Sequence, residues 1–309
     1  MTTRSAPSIS TGAITVVTPA GVASTRRWPG VLAQLASSTV SQTGGAVASA
    51  AITAIGVPAV VAVRQLVAAA ILLPIARPKF RRLTRPQIGS AIALGVATTC
   101  MNLGLYTAID RIGLALAVTL EFLGPLAIAI AGTRTIRDGV AAVAAAAGVY
   151  VLVNPNGSAD WFGIGSALGA AASWAAYILL NRRIGRQLPG LHGAALSASV
   201  SAALSVPVVI VLAALGCFSA VGVLLAVVTG VMCSVVPMAA DLFALRRVPA
   251  RLFGVLASIN PVAAAAAAIV LLHEIPTLRE SIGIVVIVAA NIAATVPTVQ
   301  KKAAAGRNA

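Results

Sequence analysis

Ten stretches of about 20 mostly apolar residues follow one another along this chain, near 29–50, 57–76, 88–109, 112–132, 138–153, 161–180, 193–214, 219–243, 252–272 and 281–298. No other feature limits the fold as strongly. A helix needs about 20 such residues to cross a bilayer. Hydrocarbon offers the backbone no water to bond, so a spanning segment must satisfy its own N–H and C=O groups. The stretch 138–153 is the shortest of the ten. With 59% hydrophobic and only 9% charged residues in 309, and a mean hydropathy of +0.98, the chain cannot cover a water-soluble domain with polar surface. The expected fold class is an all-α integral membrane protein with ten transmembrane helices.

A formal charge of +15 would suggest nucleic acid on a soluble chain, but here the basic residues sort by loop. Arg4, Arg26 and Arg27 precede the first span. Alternate loops then carry Arg77 to Arg85, Arg134 and Arg137, Arg182 to Arg186, Arg246 to Arg251, and finally Lys301, Lys302 and Arg307. Of the 22 Lys and Arg residues, all but Arg64, Arg111 and Arg279 fall on that one side. By the positive-inside rule both termini are cytoplasmic and the number of spans is even. With 4% aromatic residues and no recognition motif, nucleic acid is excluded as a partner. Residues 1–28 read as a disordered cytoplasmic tail and 301–309 as a second one. Cleavage as a signal peptide is not expected, because Pro19 and Gly21 interrupt the mildly apolar run and the basic residues follow it. Cys100, Cys217 and Cys233 have no metal-like spacing and are expected as small core residues.

Within the fourth stretch, Val118-Thr119-Leu120-Glu121-Phe122-Leu123-Gly124-Pro125 sets a carboxylate and a proline in apolar surroundings. A charge at a helix centre costs roughly 2.5–3.5 kcal/mol on insertion scales, so it persists mainly where it faces a cavity or a partner. Pro125 removes a backbone donor beside it. The segment Arg111 to Pro125 aligns without a gap to Arg247 to Pro261, pairing Arg111 with Arg247, Leu116 with Leu252, Leu120 with Leu256 and Pro125 with Pro261. Five spans per half is an odd number, so the second copy would enter the membrane from the opposite side. That is an inverted repeat, with halves at 29–153 and 154–300, and such repeats hold substrate near the mid-plane.

These residues resemble a drug/metabolite transporter of the EamA type, nearest its threonine/homoserine exporter branch. The likeness is carried by Gln42-Thr43-Gly44-Gly45, Arg64, Met101-Asn102, the run Leu120 to Pro125, Trp174 to Leu179, Pro237 with Asp241, and Phe253 to Ser258. His273-Glu274 stands where the family usually has Gly-Glu, and Asn260 stands where it tends to carry a Glu. The resemblance implies two inverted five-helix repeats and export of small amino acids or related metabolites across the inner membrane.

Read for themselves, Arg64 and Glu121 suit the two ends of a zwitterion if both line one cavity, since a guanidinium matches a carboxylate and a carboxylate matches an ammonium. The alternatives are that Arg64 snorkels to the outer interface or forms a buried ion pair with Glu121. Glu121 is also the candidate proton carrier. Gln42, Asn102, Ser258 and Asn260 are candidate hydrogen-bonding groups or interhelical glue. Asp241 is a site candidate or an interfacial partner of Arg246 and Arg247. Trp174 and Tyr177, three residues apart, share a face and either wall a cavity or pack. Pro125 and Pro261 are the expected helix breaks. Gly165-xxx-Gly169 and the Ala-rich runs 141–147 and 263–268 suit close helix packing, and Trp28 and Trp161 suit the interfaces.

With His192 and His273 the only histidines, no pair has zinc spacing, and there is no Walker-type loop. Neither an enzyme, a metal, a cofactor nor an ATP engine is expected. The partners are a small-molecule substrate, the lipid bilayer and, through Glu121, protons; a homodimer is one open arrangement. A small neutral amino acid is the first expectation for the substrate. Another amphiphilic metabolite or drug, or a passive channel, is the alternative.

Overall fold

The computed structural model describes residues 28–78, 83–131, 136–153, 160–188, 191–245, 247–248, 252 and 256–295. The tails at 1–27 and 301–309 lie outside them. Among the described residues every regular element is helical: α1 Trp28–Ile55, α2 Val57–Ala76, α3 Arg85–Ile112, α4 Leu114–Glu121, α5 Leu123–Ala131, α6 Ile136–Val153, α7 Trp161–Gln187, α8 His192–Ala214, α9 Ala220–Gly230, α10 Val236–Leu245, α11 Asn260–Ala267 and α12 Leu278–Thr295. Taken with the irregular joints described below, these twelve pieces make ten helices in the order of the ten apolar stretches.

Five segments are long and apolar enough to cross a membrane: Val57–Ala76, Arg85–Ile112, Leu114–Ala131, Trp161–Gln187 and His192–Ala214. The helix α1 is 28 residues long but is not among them, because it gives a polar stripe to the interior. Its neighbours turn sharply. A single residue, Gly56 at φ 78°, links α1 to α2, and Gly113 at φ 80° links α3 to α4; both backbones lie where a side chain is disfavoured. Other helix starts are capped by side chains. Asp160 Oδ1 accepts from the Gly163 N–H at 2.9 Å, and Ser219 Oγ accepts from the Gly222 N–H at 3.0 Å, each satisfying an orphan donor of the first turn.

Three spans are interrupted, each next to a proline. In the fourth, a turn at Phe122 divides α4 from α5, and Pro125 supplies no N–H for the Glu121 carbonyl four residues back. In the eighth, a π-helical segment, Val231–Val235, joins α9 to α10 just before Pro237. In the ninth, a turn at Ser258 and Ile259 precedes α11, Pro261 is at its start, and a second π-helical segment, Ala268–Leu272, follows it. The turn at Phe122 and the turn at Ser258 stand at equivalent positions in the gapless alignment of Arg111–Pro125 with Arg247–Pro261.

Packing runs mostly between the halves. The helix α3 lies along α7, and α1 lies along α9 and α10; α2 pairs with α8, α6 with α12, and α4 with α11. Small residues permit the closest approaches. A Cβ on Gly124 would overlap the Ala171 carbonyl, one on Gly104 would come within 2.8 Å of the Ser166 oxygen, and one on Gly148 within 2.8 Å of Ile287. The Ala-rich 141–147 run does serve close packing, since Ala145 is buried against α12 in a cluster with Leu126 and Ala290.

Two expectations about small residues need correction. A Cβ on Gly165 or Gly169 would meet nothing within 4 Å, so that pair faces outward and α3 approaches the other side of α7. Cys100 and Cys217 are exposed rather than core, and Cys233 alone is partly buried. The outer surface of the bundle is itself apolar, with Val143, Ile210, Leu224 and Val285 all more than half exposed, so an apolar residue has no need of the interior there. Trp28 and Trp161, 69% and 61% exposed, are free to lie at an interface.

Candidate functional site

The broken spans and the polar stripe of α1 enclose one cavity of about 590 Å³, within the 300–1,000 Å³ usual for small-molecule sites. Arg64, Glu121, Gln42, Asn102, Asn260, Trp174 and Tyr177 all line it. Ser258 is buried, 4% exposed, but is not part of that lining. Asp241 belongs to α10, and its side chain lies outside the described residues. Pro125 and Pro261 are not on the wall; they act through the backbone they interrupt.

Arg64 does not snorkel. Its Nη1 donates to Asn102 Oδ1 at 2.5 Å and to Tyr106 Oη at 3.0 Å, its Nε to Ser234 Oγ at 3.2 Å, and its Nη2 to the Cys233 carbonyl at 3.1 Å. The guanidinium also stands 5.3 Å from the centre of the Tyr106 ring, a cation–π distance. Pro237 has no N–H to offer the carbonyl four residues earlier, and that carbonyl is Cys233. Arg64 therefore bonds the acceptor that the proline leaves short, and ties α2 to α3 and to the eighth span. Four bonds use four of five donors. Among the described residues one Nη2 hydrogen remains for a ligand, so a fully bidentate grip on a carboxylate, expected from the residue type, is not what this conformation offers.

Glu121 ends α4 beside the turn at Phe122 and is 6% exposed. No salt bridge joins it to Arg64 within 4.0 Å, and its carboxylate accepts no hydrogen bond among the described residues; the ion pair found there is Arg111 with Asp160 at 3.6 Å. The buried-pair alternative is thereby removed. A guanidinium and a carboxyl group share a cavity without touching. Phe122 and Trp174 close one side with an edge-to-face contact, centroids 4.8 Å apart at 86°, which answers the question left open for Trp174: it stacks and lines the cavity.

Asn260 has a specific local task. Pro261 takes the donor from the Ala257 carbonyl, and Asn260 Nδ2 donates to that oxygen at 2.9 Å. Its Oδ1 meanwhile accepts from Gln42 Nε2 at 3.4 Å. An asparagine does both where a carboxylate would do only the second, because it carries donor and acceptor on one short arm.

Sequence reasoning missed Tyr106, Ser234, Gln34, Ser38 and Gln65, all of which line the cavity. The signals were present. Tyr106 follows Asn102 by one helical turn, and Gln34, Ser38 and Gln42 repeat every four residues along one face of α1. At one end the cavity reaches Ile184, Leu188, Leu191 and Gly193, around the α7–α8 connection. At the other, beyond Ile109 and Leu114, Glu274 Oε2 accepts from the Leu114 N–H at 3.3 Å, and Arg111 pairs with Asp160 while standing 5.4 Å over the Phe162 ring.

Comparison with known proteins gives a consistent picture. Residues 161–296 match the model of the EamA-like transporter family. The threonine/homoserine exporter RhtA of Salmonella typhimurium LT2 is 32% identical over 277 residues, 87% of this chain and 92% of the relative. RhtA of Escherichia coli K12 is 32% identical over 284 residues, 89% and 94%. A crystal structure described only as that of a protein superposes with a TM-score of 0.58 at 20% identity, covering 87% of this chain and 96% of the other, and shares the fold.

Proposed function

The chain belongs to the EamA-like transporter family, and from that premise we propose that it exports small neutral amino acids of the threonine and homoserine kind by proton-coupled alternating access. It is a multi-pass membrane transporter, not an enzyme. The observation that carries the proposal is the pair Arg64 and Glu121, which line one cavity without neutralising each other. The free Nη2 hydrogen of Arg64 receives the substrate carboxylate, and Glu121 receives the ammonium. When the site is empty Glu121 takes a proton instead, which links export to the proton gradient; an unpaired carboxylate inside a membrane is otherwise costly.

Alternating access is supported by the two ends of the cavity. The α7–α8 connection lies beside Arg182, Arg183 and Arg186, on the basic side, so with both termini in the cytoplasm the present opening faces inward. The far end is covered by the contacts of Glu274 and of Arg111 with Asp160. The inverted repeat, with halves at 29–153 and 154–300, is supported by the packing. Exchanging each span with its counterpart five later turns α3 on α7 into the eighth span on α1, and leaves α2 on α8, α6 on α12 and α4 on α11 unchanged. The location that follows is the inner membrane.

The test is counterflow of labelled threonine and homoserine into liposomes containing the purified protein, with and without a pH gradient. The gradient is expected to stimulate wild-type flux, and Glu121→Gln to lose that stimulation. Absence of flux for either amino acid in a folded preparation would overturn the substrate class and point to another amphiphilic metabolite. Flux that ignores the gradient and survives Glu121→Gln would remove the proton from the mechanism.

A further inference from the structure

Three polar side chains on the cavity wall have no role in the charge recognition described above. Gln34 and Gln65 are each 4% exposed and Ser38 is 3% exposed. Gln34 Oε1, Ser38 Oγ and Gln65 Nε2 are all buried without a hydrogen-bond partner among the described residues. Ser90, Gln187 and Thr229 also hold such an atom, but they do not line the cavity, whereas the first three do. A buried polar group left unpaired is costly, because it gives up its bonds to water and gains none. Three on adjoining helices round one cavity therefore need a partner that the protein itself does not supply.

We propose that Gln34, Ser38 and Gln65 form a neutral subsite that binds the side-chain hydroxyl of the transported amino acid. This rests on the amino-acid reading above. Gln34 and Ser38 stand one turn apart on α1, about 6 Å along its axis at 1.5 Å per residue, and Gln42 continues the same row. Gln65 follows Arg64 directly on α2, and both line the cavity. On this proposal a substrate with its carboxylate at Arg64 turns its side chain to this stretch of the cavity wall, which presents an acceptor, a donor and a hydroxyl that is either. The complement is a small group that both donates and accepts. That requirement holds whichever way the two amides are turned, because each carries both functions. A hydroxyl satisfies it and an aliphatic side chain does not. The subsite is the source of selectivity between polar and apolar amino acids of equal size.

Threonine and valine make the test direct, since valine has a methyl where threonine has its hydroxyl. Half-saturation for counterflow of each is measured in liposomes with the wild type, Ser38→Ala, Gln34→Leu and Gln65→Leu. The wild type is expected to favour threonine by at least about tenfold, because a site built to bond a hydroxyl rejects the analogue that leaves it unpaired. Each variant is expected to bring the ratio toward one, with the loss falling on threonine. Ser38→Ala removes a single oxygen and serves if the longer replacements fold poorly. A wild type without preference, or a ratio that Ser38→Ala and the glutamine variants leave unmoved, overturns the subsite while amino-acid transport stands. Absence of flux for both amino acids in the wild type overturns the exporter reading and the subsite with it.

Discussion

Arg64 illustrates how one side chain holds a fold and offers a site with the same atoms. Its hydrogen bonds reach Asn102, Tyr106, Ser234 and the Cys233 carbonyl, and bonds to a charged group are each worth about 1.5–3 kcal/mol. Lysine keeps the charge but has three donors on a point-like head. Arg64→Lys is therefore expected to lower the unfolding temperature in detergent and to cut threonine counterflow by at least about tenfold, as read by thermal-shift and transport assays side by side; wild-type stability in this variant would show the bracket to be dispensable. The charges themselves were legible in the sequence, because an ionised residue in an apolar run stands out. Their relation was not. Whether Arg64 and Glu121 touch depends on how two helices are rotated against each other, and hydropathy carries no information on that angle.

At the scale of the element, the prolines explain where the helices break and what restores them. Asn260→Ala leaves the Ala257 carbonyl without the 2.9 Å bond and is expected to cost about 1–3 kcal/mol; Asn260→Asp should not recover it, since a carboxylate donates nothing. Comparing the unfolding of the two variants decides the matter, and full stability of Asn260→Ala would refute this account. Helix contact is equally specific. Gly124→Val is expected to force α5 from α7 at Ala171 and to abolish the folded peak in size-exclusion chromatography, whereas Gly165→Ala and Gly169→Ala should stay within about 0.5 kcal/mol of wild type. The sequence displayed all three glycines alike. A small-xxx-small spacing marks a surface that permits close approach, and only the assembled bundle reveals which such surface is used.

For the whole molecule, the order and number of helices followed from the apolar stretches, since ten stretches became ten helices, five of them long and apolar enough to cross a membrane. The helix α1 is long enough but less apolar than those five, because the Gln34, Ser38 and Gln42 row that lines the cavity lowers its hydropathy. In a background without Cys100, Cys217 and Cys233, Leu188→Cys is expected to react with a membrane-impermeant thiol reagent from the cytoplasmic side of inside-out vesicles, and Leu114→Cys to stay protected from the opposite side. Adding Glu274→Gln or Asp160→Asn should weaken the far-side contacts and raise labelling at Leu114→Cys. Labelling of Leu188→Cys only from the far side would reverse the assigned orientation.

Two of the three broken spans, the fourth and the ninth, also differ in a way that a membrane potential can sense. The joint of the ninth span is mended by a neutral amide, that of Asn260, and carries no ionisable group in the turn at Ser258 and Ile259. The joint of the fourth span carries Glu121. A unit charge crossing the whole field gains or loses about 2.3 kcal/mol per 100 mV, so displacing the fourth-span joint with its carboxylate ionised would move a charge through the field, whereas the same displacement of the ninth-span joint would move none. On the proposed alternating-access cycle, a membrane potential therefore acts directly on the turn at Phe122 and not on the turn at Ser258.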